Sequence, residues 1–191
     1  MAHRFKDVIR KSYRQVRSRL PMAYQYAASA KVCARINAIR QYRYAKTIAL
    51  YQAIGGEIDL TGLWESAPYQ GKFCYFPVLN NDQTLSFVPA TPSTPFKPNQ
   101  YNIPEPVVDR SLAIPVHELD LIFMPLVAFD TNGTRLGMGA GYYDRTLANQ
   151  RHPLLIGVAY DFQREECIET QAWDVPMSAI VTPKNLYWTP S

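Results

Sequence analysis

Within ten residues the chain sets an arginine, three alternating glycines and a carboxylate, in the order Arg135-Leu136-Gly137-Met138-Gly139-Ala140-Gly141-Tyr142-Tyr143-Asp144. Glycine lets a backbone approach a ligand closely, and the unpaired amides at the start of a following helix attract anions. A phosphate suits such a turn. Arg135 adds a fixed cation two residues before the first glycine, and Asp144 a carboxylate in the first helical turn. A carboxylate beside a phosphate is repulsive unless a cation lies between them. Magnesium fits there, because it commonly shares its oxygen ligands between one or two carboxylates and nucleotide phosphates. The plainer readings are a flexible strand-to-helix connection for the glycines and stabilisation of a helix start for Asp144. Neither G-x-x-x-x-G-K-[ST] nor G-x-G-x-x-G is present; the second fails at Tyr142.

Charge is the second signal. Residues 1–46 hold twelve Lys and Arg against one acid, Asp7, whereas residues 47–191 hold eight against fifteen acids. A basic segment of this kind binds nucleic acid or a small polyanion. A nucleic-acid binder would carry its basic surface through the domain, which the acidic remainder opposes. On a helix, Arg10, Arg14 and Arg17 share one face, a pattern that a solvated charged stripe also produces. Cys33, Cys74 and Cys167 are odd in number and lack C-x-x-C spacing, so neither a disulfide framework nor a cysteine zinc site is indicated. His3, His117 and His152 are isolated and receive no role. No run of about 18 apolar residues is long enough to span a bilayer, and Met1 to Lys6 leads into charge. A cytoplasmic protein without a membrane partner is expected.

These residues need elements to position them. At 191 residues one domain is expected, with residues 1–45 as its basic helical part. From Phe5 to Arg43 there is one proline, Pro21, and no glycine, which predicts two helices meeting near Pro21. Short apolar runs predict strands at Thr47–Tyr51, Lys72–Val78, Leu85–Val88, Leu119–Ala128, Leu154–Tyr160 and Ala179–Thr182. Helices are expected around Leu60–Ser66 and Tyr142–Asn149. Six prolines between 89 and 106 predict a surface loop. Strands alternating with helices, with apolar central strands, give an α/β protein: a three-layer αβα sandwich on a mostly parallel sheet. In such sheets ligands bind at the carboxyl ends of the strands, where the glycine turn is expected to lie.

The run Leu121-Ile122-Phe123-Met124-Pro125-Leu126-Val127-Ala128-Phe129-Asp130, followed by Gly133-Thr134-Arg135 through to Asp144-Arg145, resembles the signature of the 5-formyltetrahydrofolate cyclo-ligase family, most closely its bacterial type. The resemblance continues in Arg10-Lys11-Ser12-Tyr13-Arg14, Gly56-Glu57-Ile58-Asp59, Trp173-Asp174-Val175-Pro176 and Ile180-Val181-Thr182-Pro183-Lys184. It implies an enzyme that converts 5-formyltetrahydrofolate to 5,10-methenyltetrahydrofolate with ATP as co-substrate and Mg2+ as cofactor, releasing ADP and phosphate. It also implies a fold related to the ribose-phosphate isomerase and CoA-transferase group.

Carried over by position, the resemblance gives Arg10, Lys11 and Arg14 to the nucleotide. It gives Arg135, Leu136, Gly137, Met138, Gly139, Ala140, Gly141, Tyr142 and Tyr143 to the phosphate loop, with Arg135 catalytic. Asp144 and Asp174 become the magnesium positions, and Gln52, Glu57, Tyr101, Met138 and Tyr142 face the folate. A carboxylate such as Glu57 can accept two hydrogen bonds from pterin N–H donors, and Tyr101 can stack on the ring. Two positions depart from the pattern. Ala140 stands where relatives often have Gly or Lys, which requires loop torsions that alanine can reach, and Gln52 stands where relatives are typically apolar. The competing reading is a nucleotide- or CoA-ester-binding protein of the same fold without folate activity. The expected partners are the two small-molecule substrates, not nucleic acid, and the expected state is a monomer.

Overall fold

A strand buried on both faces reads as a continuous apolar run, yet its side chains still alternate between two layers. That alternation organises this chain. The structure, a computed structural model, describes residues 2–148 and 153–189, and side chains from Phe5 onward. In chain order it forms helices α1 (Ala2–Ser18), α2 (Met22–Ala38) and α3 (Arg40–Tyr44), strand β1 (Thr47–Ala49) and helix α4 (Thr61–Ser66). Strands β2 (Phe73–Leu79), β3 (Leu85–Pro89), β4 (Phe96–Pro98), β5 (Pro104–Pro106), β6 (Leu121–Pro125), β7 (Ala128–Phe129) and β8 (Arg135–Leu136) follow. Helix α5 (Tyr142–Leu147) and strands β9 (Leu154–Val158), β10 (Ala179–Val181) and β11 (Leu186–Trp188) complete it.

Seven strands make one sheet in the order β11-β10-β9-β6-β1-β2-β3. The five inner strands run parallel, and β11 and β3 pair antiparallel at the two edges. Ile48, Leu121, Phe123, Ile156 and Val181 face one side, packed with Val32 and Ile36 of α2, Tyr42 of α3 and Leu63 of α4. Ala49, Ile122, Met124, Leu155 and Ile180 face the other, with Leu147 of α5, Leu119 and Met177. The three-layer α/β class is therefore found, with the α5 side a thin layer made mostly of connecting segments.

Four expectations change in detail. The N-terminal helical region has a second break at Ile39, which is extended (φ −69°, ψ 127°) and donates its N–H to Ile36 O at 3.0 Å. No proline or glycine marks this break; burial of Ile39 and Tyr42 against the sheet turns the chain there. Residues 89–106 are not only loop: β4 and β5 form a small antiparallel hairpin, with Phe96 packed edge-on against Trp64 and Phe76. Proline is tolerated in such edge pairs because the missing N–H need not serve a central ladder. The expected strand Leu119–Ala128 is split at Leu126 between the main sheet and a second hairpin, β7–β8. The edge strand β11 carries no period that announced it. Asn149, the expected end of the last helix, and His152 lie outside the described residues, as does the side chain of His3.

Candidate functional site

The split at Leu126 builds the site. Where β6 leaves the sheet, its carbonyls need donors, since an unpaired buried carbonyl costs about 1–3 kcal/mol. Arg17 Nη1 (3.2 Å) and Gln163 Nε2 (2.9 Å) donate to Leu126 O, and Gln163 Nε2 also to Val127 O (2.8 Å). Val127 N–H donates to Leu136 O at 2.7 Å. The β7–β8 hairpin thus hangs from the carboxyl end of β6 and delivers residues 137–141. The glycine turn follows this hairpin and not a central strand, a refinement of the expected strand-to-helix order.

Helix α1 lies against the hairpin. Ile9 and Tyr13, one turn apart, pack on Ala128, Leu136 and Ile168. Arg10 Nε donates to Gly137 O at 2.9 Å, and its Nη1 pairs with Asp7 at 2.8 Å. The turn uses positive φ at Gly139 (103°) and Gly141 (71°), values that only glycine takes without strain. Among the described non-glycine residues positive φ occurs only at Gln83 and Asn102, so Ala140 sits in a region open to alanine. Its carbonyl accepts a short hydrogen bond from Arg145 Nη2. Met138 is exposed in the turn, and Lys11 and Arg14 are exposed on α1.

Arg135 and Asp144 face each other. Arg135 Nη2 donates to Asp144 Oδ1 at 2.6 Å, and the Arg135 side chain is only 6% exposed. Arg135 Nη1 makes a short bond to Val175 O, while Val175 N–H donates to Asp144 Oδ1 at 3.1 Å. This two-point clamp brings the segment containing Asp174 to the loop. Asp174 Oδ2 accepts from Gln171 N–H at 2.8 Å. Each carboxylate therefore keeps one oxygen without a hydrogen bond to the described residues. No group of three or more Asp, Glu, His or Cys is assembled among those residues to hold a metal. The donor set fits an ion that takes one or two carboxylate oxygens and completes its shell with phosphate and water, the habit of Mg2+ rather than of zinc.

A second cluster lies where β1 ends. Glu57 is 8% exposed; Oε1 accepts from Arg17 Nη2 (3.2 Å) and Oε2 from Ile54 N–H (3.1 Å). Burial pushes its carboxyl group up from the usual range, and the Arg17 charge opposes that rise. Tyr51, Tyr143 and Tyr160 surround it, and burial raises all three phenols, with Glu57 adding to each rise. The Tyr143 phenol is raised first by burial, with the Glu57 carboxylate adding to the rise and the Arg135 charge opposing it. Tyr142 packs edge-on against Tyr101 at 6.1 Å, their hydroxyls 3.4 Å apart, so the tip of the β4–β5 hairpin reaches the start of α5. Gln52 lies apart, beside Leu60, Thr61, Trp64 and Phe76, without a hydrogen bond to Glu57 or to the loop.

Gly56, at φ 76°, closes the turn before Glu57. A Cβ there would stand 2.6 Å from Arg17 O. Gly56→Ala is expected to cost about 2–4 kcal/mol of stability, through positive-φ strain and the clash together. Urea unfolding measures it, and a midpoint equal to that of the wild type would contradict the packing of α1 on this turn.

Sequence reasoning missed two groups. Gln163 caps the carbonyls at the end of β6 with no signal in its neighbours. Arg17 was visible only as the third cation on the Arg10–Arg14 face.

The fold and this arrangement define a class: an α/β protein whose glycine-rich turn and paired Arg and Asp gather at the carboxyl edge of a parallel sheet. Residues 2–183 match the model of the 5-formyltetrahydrofolate cyclo-ligase family. The 5-formyltetrahydrofolate cyclo-ligase of Haemophilus influenzae is 41% identical over 180 residues, covering 92% of this chain and 96% of that protein. That of Escherichia coli K12 is 35% identical over 178 residues, covering 91% and 98%. The NMR structure of a 5,10-methenyltetrahydrofolate synthetase from Aquifex aeolicus superposes with a TM-score of 0.85 at 33% identity, covering 97% of this chain and 93% of that one. The chain belongs to the 5-formyltetrahydrofolate cyclo-ligase family. It is accordingly an enzyme of the ligase class. No helix among the described residues is long and apolar enough to cross a membrane.

Proposed function

We propose that this protein closes 5-formyltetrahydrofolate to 5,10-methenyltetrahydrofolate at the expense of ATP, with the triphosphate on the 137–141 turn and the pterin at Glu57. The observation that carries this reading is helix α1, whose Arg10 bonds Gly137 O of the turn (2.9 Å) and whose Arg17 bonds Glu57 (3.2 Å), so that one helix joins the two clusters into one site. The formyl oxygen is a poor leaving group until it is phosphorylated. In the proposed sequence it attacks the γ-phosphorus, an O–P bond forms, and the bond to ADP breaks. N10 then adds to the formyl carbon and loses its proton, and the C–O bond breaks to release phosphate.

Phosphoryl transfer needs positioning and charge more than a protein nucleophile. The loop amides and Arg135 supply these to the transferring group. Arg10 holds Gly137 and thereby the shape of the turn, while Lys11 and Arg14 meet outer phosphate oxygens from the exposed face of α1. Mg2+, when bound, offsets phosphate charge, and Asp144 and Asp174 are the residues to hold it. Glu57 retains one acceptor position on each oxygen beyond its bonds to Arg17 and Ile54, enough for two pterin N–H donors. Tyr101, Tyr142 and Met138 cover the folate ring from the exposed side, and Gln52 takes a more distant folate contact.

The test is direct: pure protein, 5-formyltetrahydrofolate, ATP and Mg2+ are expected to give the absorbing methenyl product with one ADP per turnover. No product, where a known cyclo-ligase works under the same conditions, would overturn the reading. For Arg14→Ala the KM for ATP is expected to rise about tenfold. A rise confined to the folate KM would show that α1 serves the other substrate. The proposal is completed by a single domain over residues 1–191, supported by the cross-bonds of α1 to residues 55, 126 and 137, and by a cytoplasmic monomer.

A further inference from the structure

Among the described side chains of α1, Arg17 is the one charged group that is buried. Burying a guanidinium is unfavourable unless its donors are met. Here three are: Nε donates to Gly55 O (3.0 Å), Nη1 to Leu126 O (3.2 Å) and Nη2 to Glu57 Oε1 (3.2 Å). One planar fork thus ties the turn after β1, the end of β6 and the Glu57 carboxylate to α1. Lysine, a point charge on a flexible stem, could not reproduce this. A cleft of about 190 Å³ opens beside Glu57, between Met22, Gln25, Tyr26 and Ser29 of α2 and the Ala53–Asp59 turn. We propose that Arg17 is a positioning residue for the folate subsite, fixing the Glu57 carboxylate in its place and orientation at that cleft. The inference rests on the reading of Glu57 as the pterin carboxylate.

The groups around Glu57 are Arg14 and Arg17 from α1 and three phenols, Tyr51 from the segment after β1, Tyr143 from α5 and Tyr160 from the segment after β9, while Asp59 and the exposed Tyr26 of α2 line the same cleft. The three phenols are neutral at ordinary pH, and Arg14 is exposed. Without Arg17, the Ile54 N–H bond and the Arg14 charge are left to oppose burial, and the carboxyl group takes up a proton at a higher pH than in the wild type. A protonated Glu57 loses acceptor capacity for the pterin. Folate binding in Arg17→Met is therefore expected to weaken as pH falls and to recover as pH rises.

The experiment measures folate and ATP KM, kcat and unfolding midpoints for Arg17→Met, Arg17→Lys and Glu57→Gln between pH 6 and pH 8. Arg17→Lys is expected to raise the folate KM about tenfold or more, leaving the ATP KM within about twofold. Arg17→Met is expected to add a folate KM about tenfold higher at pH 6 than at pH 8, a dependence much weaker in the wild type. If Arg17→Met fails to fold, Arg17→Lys decides alone. Equal changes in both KM values, an unchanged folate KM, or an Arg17→Lys protein that does not fold would each overturn the proposal. Glu57→Gln separates the two ideas. If it leaves the folate KM unchanged, the pterin reading fails. If it raises that KM while Arg17→Lys and Arg17→Met do not, only the positioning role fails.

Discussion

Arg135→Ala is expected to lower kcat about a thousandfold while the protein remains folded. Two effects converge on the same step. On the proposed reading, removing the guanidinium withdraws positive charge from beside the phosphoryl-transfer site, a loss that typically costs about 10²–10³ in rate. It also leaves Asp144 without its 2.6 Å partner, so an uncompensated carboxylate stands beside the turn proposed to hold the triphosphate. The Val175 segment loses the Nη1 bond at the same time, which loosens the neighbourhood of Asp174. Arg135→Lys restores charge but not the fork that reaches Asp144 and Val175 together, and is expected to recover part of the rate. Steady-state kinetics with a parallel melting curve make the check. A fall of less than about tenfold in kcat for Arg135→Ala would remove Arg135 from the chemistry.

Asp144→Asn has the second large effect. The amide oxygen can still accept from Arg135 Nη2 and from Val175 N–H, the two bonds made by Oδ1, so the fold is expected to tolerate the change. The other carboxylate oxygen, proposed above as a magnesium ligand, becomes an amide NH2, which donates hydrogen bonds and does not bind a metal. Turnover at saturating ATP is expected to drop about a hundredfold, with a raised magnesium requirement. Titration of rate against Mg2+ reads this out, and an unchanged rate at limiting magnesium would contradict the assignment.

The local part of the site was legible because its chemistry is contiguous. Arg135, the glycine turn and Asp144 fall within ten residues, and the apolar runs on either side predict the sheet. What could not be read is what arrives from a distance. Leu121–Ala128 is apolar throughout, and Pro125, which lacks a ladder N–H, is the one local mark where the chain leaves the sheet; the donors that satisfy the freed Leu126 carbonyl, Arg17 and Gln163, come from 109 and 37 residues away. Apolar periodicity carries no information about such donors. The same holds for Ile39, where tertiary burial outweighs good helix propensity on both sides.

Charge placement was half legible. The sequence suggests that Asp144 needs a cation between itself and a phosphate, and names a metal. In the structure the first cation on Asp144 is Arg135, nine residues earlier. The carboxylate is thus partly neutralised by the protein itself through Oδ1. Arg17 shows the reverse case. A stripe of cations on α1 reads as solvated, and Arg10 and Arg17 instead face inward to the turn and to Glu57.

In the proposed reaction the formyl oxygen takes the phosphoryl group at this site. The most direct measurement uses 5-formyltetrahydrofolate labelled with ¹⁸O in the formyl group, a single incubation with ATP and Mg2+, and mass spectrometry of the released phosphate. One ¹⁸O atom is expected in the phosphate for each methenyl product formed. Phosphate free of label, with the ¹⁸O recovered in water, would contradict it.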